Sequence, residues 1–191
     1  MIKTYVIDTN VLIQAPYAIE CFEENNLVLP LVVLEELDGL KKAEGEKGAN
    51  ARAAVRKLES YRQKGDLLQG VKLPGGGILR IEKNFVQVEL PQDIPDDKPD
   101  NRILKVCKGL AETEKEGQVI LVTKDIVLRL KAQILGIRAE DFERERISED
   151  DAQYTGRTEI YFPEEKVKEF KKKGIPLTDA YQSDEEGNRS T

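Results

Sequence analysis

The chain has 191 residues, of which 39% are hydrophobic and 35% charged, with a formal net charge of −6 at pH 7. This length and apolar content predict one domain with a real core plus an extension. The sequence has no histidine, which excludes a histidine general base, histidine metal ligands and a Ser-His-Asp triad. The acidic balance disfavours non-specific coating of nucleic acid, so such contact would need a local basic face or a metal.

From the N-terminus onward, short apolar runs alternate with helical patterns. Four runs predict strands, the last a short edge strand: 4–7, 27–30, 118–125 and 137–142. Helical spacing predicts helices at 31–42, 49–64, 101–117 and 126–136. This alternation is typical of an α/β fold in which helices cover both faces of a central parallel sheet.

Two further segments interrupt the alternation. Two β-rich arms flank a Pro-Gly-Gly-Gly turn, which predicts a β-hairpin insertion near 70–83, and the acidic, proline-rich stretch at 91–100 predicts a loop. After about residue 147 the pattern changes. We therefore predict a domain at 1–147 and a connector at 148–191, made of a short strand, a charged helix and a disordered tail.

The cysteines and the apolar runs bear on location. Cys21 and Cys107 stand far apart and outside any CxxC motif, so we interpret them as core-filling thiols of a reduced protein rather than a disulfide or zinc pair. The longest apolar stretch, 27–34, is too short to span a membrane. Asp8 interrupts the N-terminal apolar run, which disfavours a signal peptide. These features predict a cytoplasmic protein.

Acids follow two of the predicted strands. Asp8 and Asp125 each stand after a strand and before a helix. The carboxyl ends of parallel strands meet at one edge of a sheet, where ligand sites of such folds lie. A helix N-cap or a turn is the alternative role for an acid at this position.

Two more acids are candidates for the same edge. Helical spacing places Glu36 one turn from Val33 and Leu40, at the edge of the buried stripe, whereas Glu35 points to the opposite side. In the acidic loop, Asp100 is the carboxylate nearest to the next helix, and simple capping of that helix is again the alternative.

Together, Asp8, Glu36, Asp100 and Asp125 could meet at one end of the sheet. Four clustered carboxylates repel one another unless they take up protons or bind cations. Oxygen ligands without histidine or cysteine indicate Mg²⁺ or Mn²⁺ rather than zinc. Such ions lower the pKa of bound water and stabilise a scissile phosphate, which would supply a nucleophile without histidine.

Four motifs in register over roughly 1–147 carry a family resemblance. They are strand-Asp8-Thr9-Asn10-Val11-Leu12, Pro30-x-x-Val33-x-x-Glu36-Leu37, Asp100-Asn101-x-Ile103-Leu104 and Leu121-Val122-Thr123-x-Asp125. This pattern resembles a PIN domain. The resemblance implies a metal-dependent ribonuclease in which Asp8, Glu36, Asp100 and Asp125 bind the metal. It also implies that Thr9, Asn10 and Thr123 orient ligands or water, and it favours single-stranded RNA as substrate.

Finer details resemble the PIN half of two-domain PIN–PhoH proteins, in which a P-loop ATPase follows. The segments concerned are VVLEELDGLKK, KLPGGGILRIE and YTGRTEIYF. Nothing here matches GxxxxGK[ST], so we expect the ATPase half to be absent from this chain. By analogy with PIN relatives we expect a homo-oligomer. Val127 stands where many PIN domains carry another acid, and this departure from the pattern disfavours a second metal ion.

Basic residues cluster just beyond Glu36, and they predict a path for RNA phosphates. The cluster comprises Lys41, Lys42, Lys47, Arg52, Arg56 and Lys57. We take Lys41, Lys42, Arg52 and Arg56 as the candidate RNA contacts. A solvated helix face of mixed charge is the alternative interpretation.

Two other functions compete with the ribonuclease. A phosphatase of the haloacid dehalogenase type also begins with an aspartate after its first strand, but it usually needs a second acid where this chain has Asn10. A non-catalytic RNA-binding or docking module would keep the fold. Four clustered carboxylates argue against it, because simple binding does not require them.

Overall fold

The computed structural model describes residues 2–95, 97–113 and 117–142. Its strands are β1 (Thr4–Ile7), β2 (Asn26–Pro30), β3 (Val71–Lys72), β4 (Ile78–Glu82), β5 (Val119–Val122) and β6 (Arg138–Glu140). They form one six-stranded sheet in the order β3-β4-β2-β1-β5-β6. All neighbouring pairs are parallel except β3 and β4, which are antiparallel.

Helices cover this sheet in a three-layer α/β/α arrangement. They are α1 (Thr9–Gln14), α2 (Leu31–Leu40), α3 (Gly45–Arg62), α4 (Pro99–Thr113) and α5 (Ile126–Ile134), together with a 3₁₀-helix at Pro16–Glu20. Every residue of β1 and β5 is buried, as expected of central strands in a parallel sheet that is covered on both faces. The α/β prediction is therefore confirmed.

The predicted hairpin forms, and it is part of the main sheet. Its second arm, β4, runs parallel to β2 over four residues, so the sheet is mixed and the hairpin extends its edge. The predicted edge strand at 137–142 is β6, which pairs with β5 through Arg138–Glu140.

Helix α3 begins four residues before its predicted start at 49. Gly45 has a φ of +72°, a backbone angle that glycine adopts without strain. A Cβ on Gly48 would lie 1.8 Å from the carbonyl oxygen of Ala43, so only glycine permits this close approach. Two weak helix formers thus start a helix because the turn after α2 requires them.

The two cysteines lie in or against the core, as predicted for core-filling thiols. Both thiols are free, Cys107 is fully buried, and Cys21 packs against the core. None of the helices described here combines the length and apolar character that a membrane crossing demands. The predicted connector, 148–191, lies outside the described residues.

Candidate active site

The four predicted acids share one cleft of about 390 Å³, which Asp8, Glu36, Asp100 and Asp125 all line. Its position follows from the strand register. The last residues of β1 and β5, Ile7 and Val122, are paired, so both chains leave the sheet side by side, and the Asp8 N–H donates to the Val122 carbonyl at 3.1 Å. The sheet edge thus brings distant parts of the sequence together.

Asp8 is the most buried of these acids, with 5% of its surface exposed. Burial raises the pKa of Asp8 to about 6, although hydrogen bonds from Thr123 and from the Thr9 backbone act in the opposite direction. The negative charges of Asp100 and Glu36 raise it further. Asp8 occupies the N-cap position of α1, but its side chain makes no capping hydrogen bond.

The Thr123 hydroxyl joins the two strand ends. It donates to Asp8 Oδ2 at 2.6 Å and accepts from the Asp125 N–H at 3.0 Å and from Asn10 Nδ2 at 3.2 Å. Asn10 Oδ1 in turn accepts from the Lys124 N–H at 3.1 Å. Thr123 is fully buried, and its one donor and both acceptor positions are used. Thr123 therefore fixes the Asp8 carboxylate, and together with Asn10 it fixes the backbone at Lys124 and Asp125.

Asp125 has a different local environment. Its Oδ1 accepts from the backbone N–H groups of Val127 at 2.7 Å and Leu128 at 3.2 Å, which caps α5. Capping and a place in the cleft are therefore not alternatives for this residue, because it has both.

Glu36 and Glu35 lie on different sides of α2. Glu36 is half-buried, lines the cleft and accepts a hydrogen bond from the Thr9 hydroxyl through Oε2. Glu35 is exposed and does not line the cleft. Both side chains thus lie on the sides of α2 that the helical spacing predicts, and the role of Glu36 as a metal ligand stays a prediction.

Asp100 lies in the first turn of α4, directly after Pro99. Its neighbour Asn101 is 2% exposed, donates to the Pro95 carbonyl at 2.5 Å and accepts from Lys131 Nζ at 2.9 Å. Asn101 therefore ties the loop before α4 and helix α5 to the turn that carries Asp100. Our site prediction gave no role to this residue, although a polar residue at a buried position of an amphipathic helix would have indicated one.

Unlike the four acids, none of the four predicted RNA contacts lines the cleft. Lys41 is paired with Asp38 at 2.5 Å. Arg52 Nη1 donates to the Lys41 carbonyl at 2.8 Å and so braces the turn after α2. Lys42 and Arg56 are exposed. Of the same basic cluster, Lys47 is the member that lines the cleft, and our selection had omitted it.

The donor chemistry fits a hard divalent cation, because carboxylates dominate the polar lining of the cleft. In the described part of the chain, no three acidic, histidine or cysteine side chains stand close enough to hold one ion together. The four acids share the cleft without converging on a point. Like charges repel, so a cation is the group that would draw these side chains together.

Comparisons with known proteins agree with this architecture. The PIN domain family matches residues 5–143. Protein PhoH2 of Bacillus subtilis is 45% identical over 89% of this chain and 40% of its own length, and Protein PhoH2 of Thermobispora bispora is 38% identical over 83% and 35%. This chain thus spans less than half the length of these curated relatives.

Among solved structures, the PIN domain of human SMG5 superposes with a TM-score of 0.41 and 17% identity, covering 72% of this chain and 91% of that one. The family match extends over most of the sequence and includes β1 except its first residue, the whole of β5 and all four acids of the cleft. The chain belongs to the PIN domain family.

Proposed function

We propose that the protein is a metal-dependent endoribonuclease that hydrolyses single-stranded RNA with a metal-activated water. Proteins with PIN domains are generally nucleases that use divalent metal ions, and this supports nuclease chemistry at a coarse level. The observation that supports the finer proposal is the cleft, which the buried Asp8 lines together with three other acids from separate parts of the chain.

In this proposal, Asp8, Glu36, Asp100 and Asp125 would hold Mg²⁺ or Mn²⁺. When bound, a divalent ion lowers the pKa of a coordinated water and stabilises negative charge on the scissile phosphate. The Thr123 hydroxyl fixes the orientation of the Asp8 carboxylate, and the Thr9 hydroxyl does the same for Glu36. Such contacts to metal-binding carboxylates typically affect metal affinity or activity 10- to 100-fold.

The pKa of Asp8 has a consequence for metal loading. Because burial raises it to about 6, this carboxylate takes up a proton in mildly acidic solution and must lose it to bind a cation. We therefore expect metal affinity to fall as the pH drops below about 6.

The setting of the reaction is also part of the proposal. The free thiols of Cys21 and Cys107 support a reduced cytoplasmic location. The resemblance to two-domain PIN–PhoH proteins supports a P-loop ATPase half as a partner of the PIN domain, and the matched PhoH2 of Bacillus subtilis is longer than this chain. A homo-oligomer is proposed by analogy with PIN relatives alone.

The proposal is tested by incubating the protein with labelled single-stranded RNA, and with DNA of the same sequence, across Mg²⁺ and Mn²⁺ titrations. We expect cleavage of RNA that excess chelator abolishes and added metal restores. An Asp8→Asn variant purified in the same way controls for contaminating nucleases.

Cleavage that persists in excess chelator would refute the metal mechanism. RNA binding without cleavage at any metal concentration would identify a non-catalytic module. Cleavage of DNA but not RNA would support phosphodiester hydrolysis and refute RNA as the substrate.

A further inference from the structure

The acidic cleft contains one contrasting charge. Among its described lining residues, Lys47 is the cation, beside four carboxylates. The Lys47 side chain is exposed and has no ion pair with another described residue. Within the basic cluster, Lys41 pairs with Asp38 and Lys57 pairs with Glu20, whereas the exposed Lys42 and Arg56 do not line the cleft. Lys47 is thus a free cation in a region of negative potential.

The start of α3, which carries Lys47, is held from three sides. Gly48 packs against the Ala43 carbonyl so closely that no Cβ would fit. Arg52 donates to the Lys41 carbonyl, and Asn50 Nδ2 donates to the Ile13 carbonyl at 2.9 Å. The backbone at Lys47 is therefore fixed relative to α1 and to the turn after α2.

Helix stability does not explain a lysine at this position. Helix α3 begins at Gly45, so Lys47 is its third residue. A positive charge in the first turn opposes the helix dipole, which favours anions there. An exposed side chain that is unfavourable for the helix and faces a cleft of carboxylates indicates a role in the cleft.

One wall of the cleft is open and partly apolar. Gly39 lines it, and no atom lies within 4 Å of the point where a Cβ on Gly39 would stand. Ile13 and Leu40 line the same cleft and are partly buried against the core. An open, partly apolar wall and a lysine thus line the same cleft, which suits the apolar and anionic parts of a nucleotide.

We infer that Lys47 binds a backbone phosphate of single-stranded RNA next to the scissile one, with the adjoining nucleoside against the wall formed by Ile13, Gly39 and Leu40. The inference rests on the proposed function and names the substrate contact of the same cleft. A flanking phosphate is favoured because a divalent ion at the acids would repel the Lys47 ammonium. The contact reads the backbone and carries no base specificity.

Kinetics of RNA cleavage at saturating Mn²⁺ test the inference with Lys47→Ala, Lys47→Arg and Lys72→Ala. Lys72 is an exposed lysine that pairs with Ile78, the first residue of β4, and so lies at the opposite end of the sheet. We expect Lys47→Ala to raise KM about 10-fold with little change in kcat, as for loss of one charge-assisted contact. Lys47→Arg should restore KM, and Lys72→Ala should match wild type.

The salt dependence separates a phosphate contact from a local counter-ion. Loss of one phosphate contact should reduce the slope of log(kcat/KM) against log[salt] by about 0.7. If Lys47 only neutralises the acids, Lys47→Ala would change the Mn²⁺ concentration needed for half-maximal activity and leave KM unaltered. That result would overturn the inference, as would equal KM values for Lys47→Ala and Lys72→Ala.

Binding measurements keep the test independent of cleavage. Fluorescence anisotropy with labelled RNA in chelator should show weaker binding for Lys47→Glu than for Lys72→Glu, even if the wild type cleaves nothing and the proposed function fails. Equal binding by the two variants would refute the Lys47 contact by itself.

The open wall gives a second variant, at a position where an added Cβ meets open space. Gly39→Leu places a better helix former in α2, so it should raise Tm while it raises KM for RNA by narrowing the cleft. A variant with higher Tm and unchanged KM would show that the nucleoside does not use this wall.

Discussion

Asp8 and Asp125 occupy equivalent places in the sequence pattern, yet the structure treats them differently. Asp8 directly follows the buried strand β1, Asp125 stands three residues after the buried strand β5, and each is the N-cap residue of the next helix. Asp125 caps α5 with two hydrogen bonds, whereas the almost fully buried side chain of Asp8 makes no capping hydrogen bond and is bonded instead by the Thr123 hydroxyl and the Thr9 backbone. The Thr123 hydroxyl touches both, through the Asp8 carboxylate and the Asp125 backbone.

The difference shows that a position at a strand end does not determine whether the charge of an acid stabilises or destabilises the fold. The carboxylate of Asp125 satisfies N–H groups that would otherwise lack partners, so it stabilises the protein apart from any role with metal. The carboxylate of Asp8 is desolvated near two other acids and destabilises the metal-free protein when it is ionised. Two acids with one proposed function should therefore respond in opposite ways to mutation.

The largest expected effect concerns Asp8. Raising the pKa from 3.8 to about 6 corresponds to about 3 kcal/mol of lost stability at neutral pH, as an upper estimate. Asp8→Asn removes this charge and keeps an acceptor for Thr123, so in chelator it should melt above wild type while losing cleavage activity. Thermal unfolding with and without Mn²⁺ measures both states. Metal should stabilise the variant less than the wild type.

The effect of Asp8 on stability should depend on pH, and the raised pKa fixes the direction of that dependence. A carboxyl group with a raised folded pKa is neutral in both states below about 3.8, and its stability contribution is lost as the pH rises to about 6. In chelator, the gain in Tm from Asp8→Asn should therefore be large at pH 7 and small at pH 4. A variant that melts below the wild type at pH 7 would instead indicate that Asp8 stabilises its helix as Asp125 does.

The next effect concerns Glu36, which Thr9 holds beside Asp8. Glu36→Gln keeps the size of the side chain but removes its charge, so we expect cleavage to fall 10- to 100-fold or more. Glu35 is the matched control, because it is the adjacent residue and exposed. Glu35→Gln should retain the wild-type rate and metal requirement.

The pair also tests the register of α2. If Glu35→Gln loses activity and Glu36→Gln does not, the helix presents the other acid to the substrate. If neither variant loses activity, α2 supplies no acid that cleavage requires, and the comparison is left to the acids at the strand ends.

The contrast between the two aspartates marks what could be predicted from the sequence. Hydrophobic runs located β1 and β5, so the meeting of Asp8 and Asp125 at one edge followed from the parallel sheet alone. The sequence did not show that Asp125 would cap its helix and that Asp8 would be buried, because the same pattern of strand, acid and helix surrounds both residues. Burial depends on what packs above each strand end, and that is fixed only by the complete fold.

The basic residues also show that a sequence pattern does not determine which side chains reach the cleft. Sequence proximity to Glu36 selected Lys41 and Arg52, which the structure engages in an ion pair and in bracing a turn. Lys47 reaches the cleft because two glycines let α3 start close to the end of α2. A charge pattern indicates a basic region, but backbone geometry decides which side chain faces the acids.

The smallest expected effect isolates the cap of Asp125. Asp125→Asn and Asp125→Ala both remove the negative charge, so both should lose metal-dependent cleavage, and any relief of repulsion in the cleft is the same for the two. They differ in that asparagine can still accept from Val127 and Leu128, whereas alanine cannot. Asp125→Ala should therefore be less stable than Asp125→Asn by about 1 kcal/mol in chelator, as for loss of an N-cap. The difference in the free energy of unfolding between the two variants can be measured by chemical denaturation. At Asp8 no capping bond exists to be lost, so equal stabilities of the two Asp125 variants would remove the distinction between the strand ends.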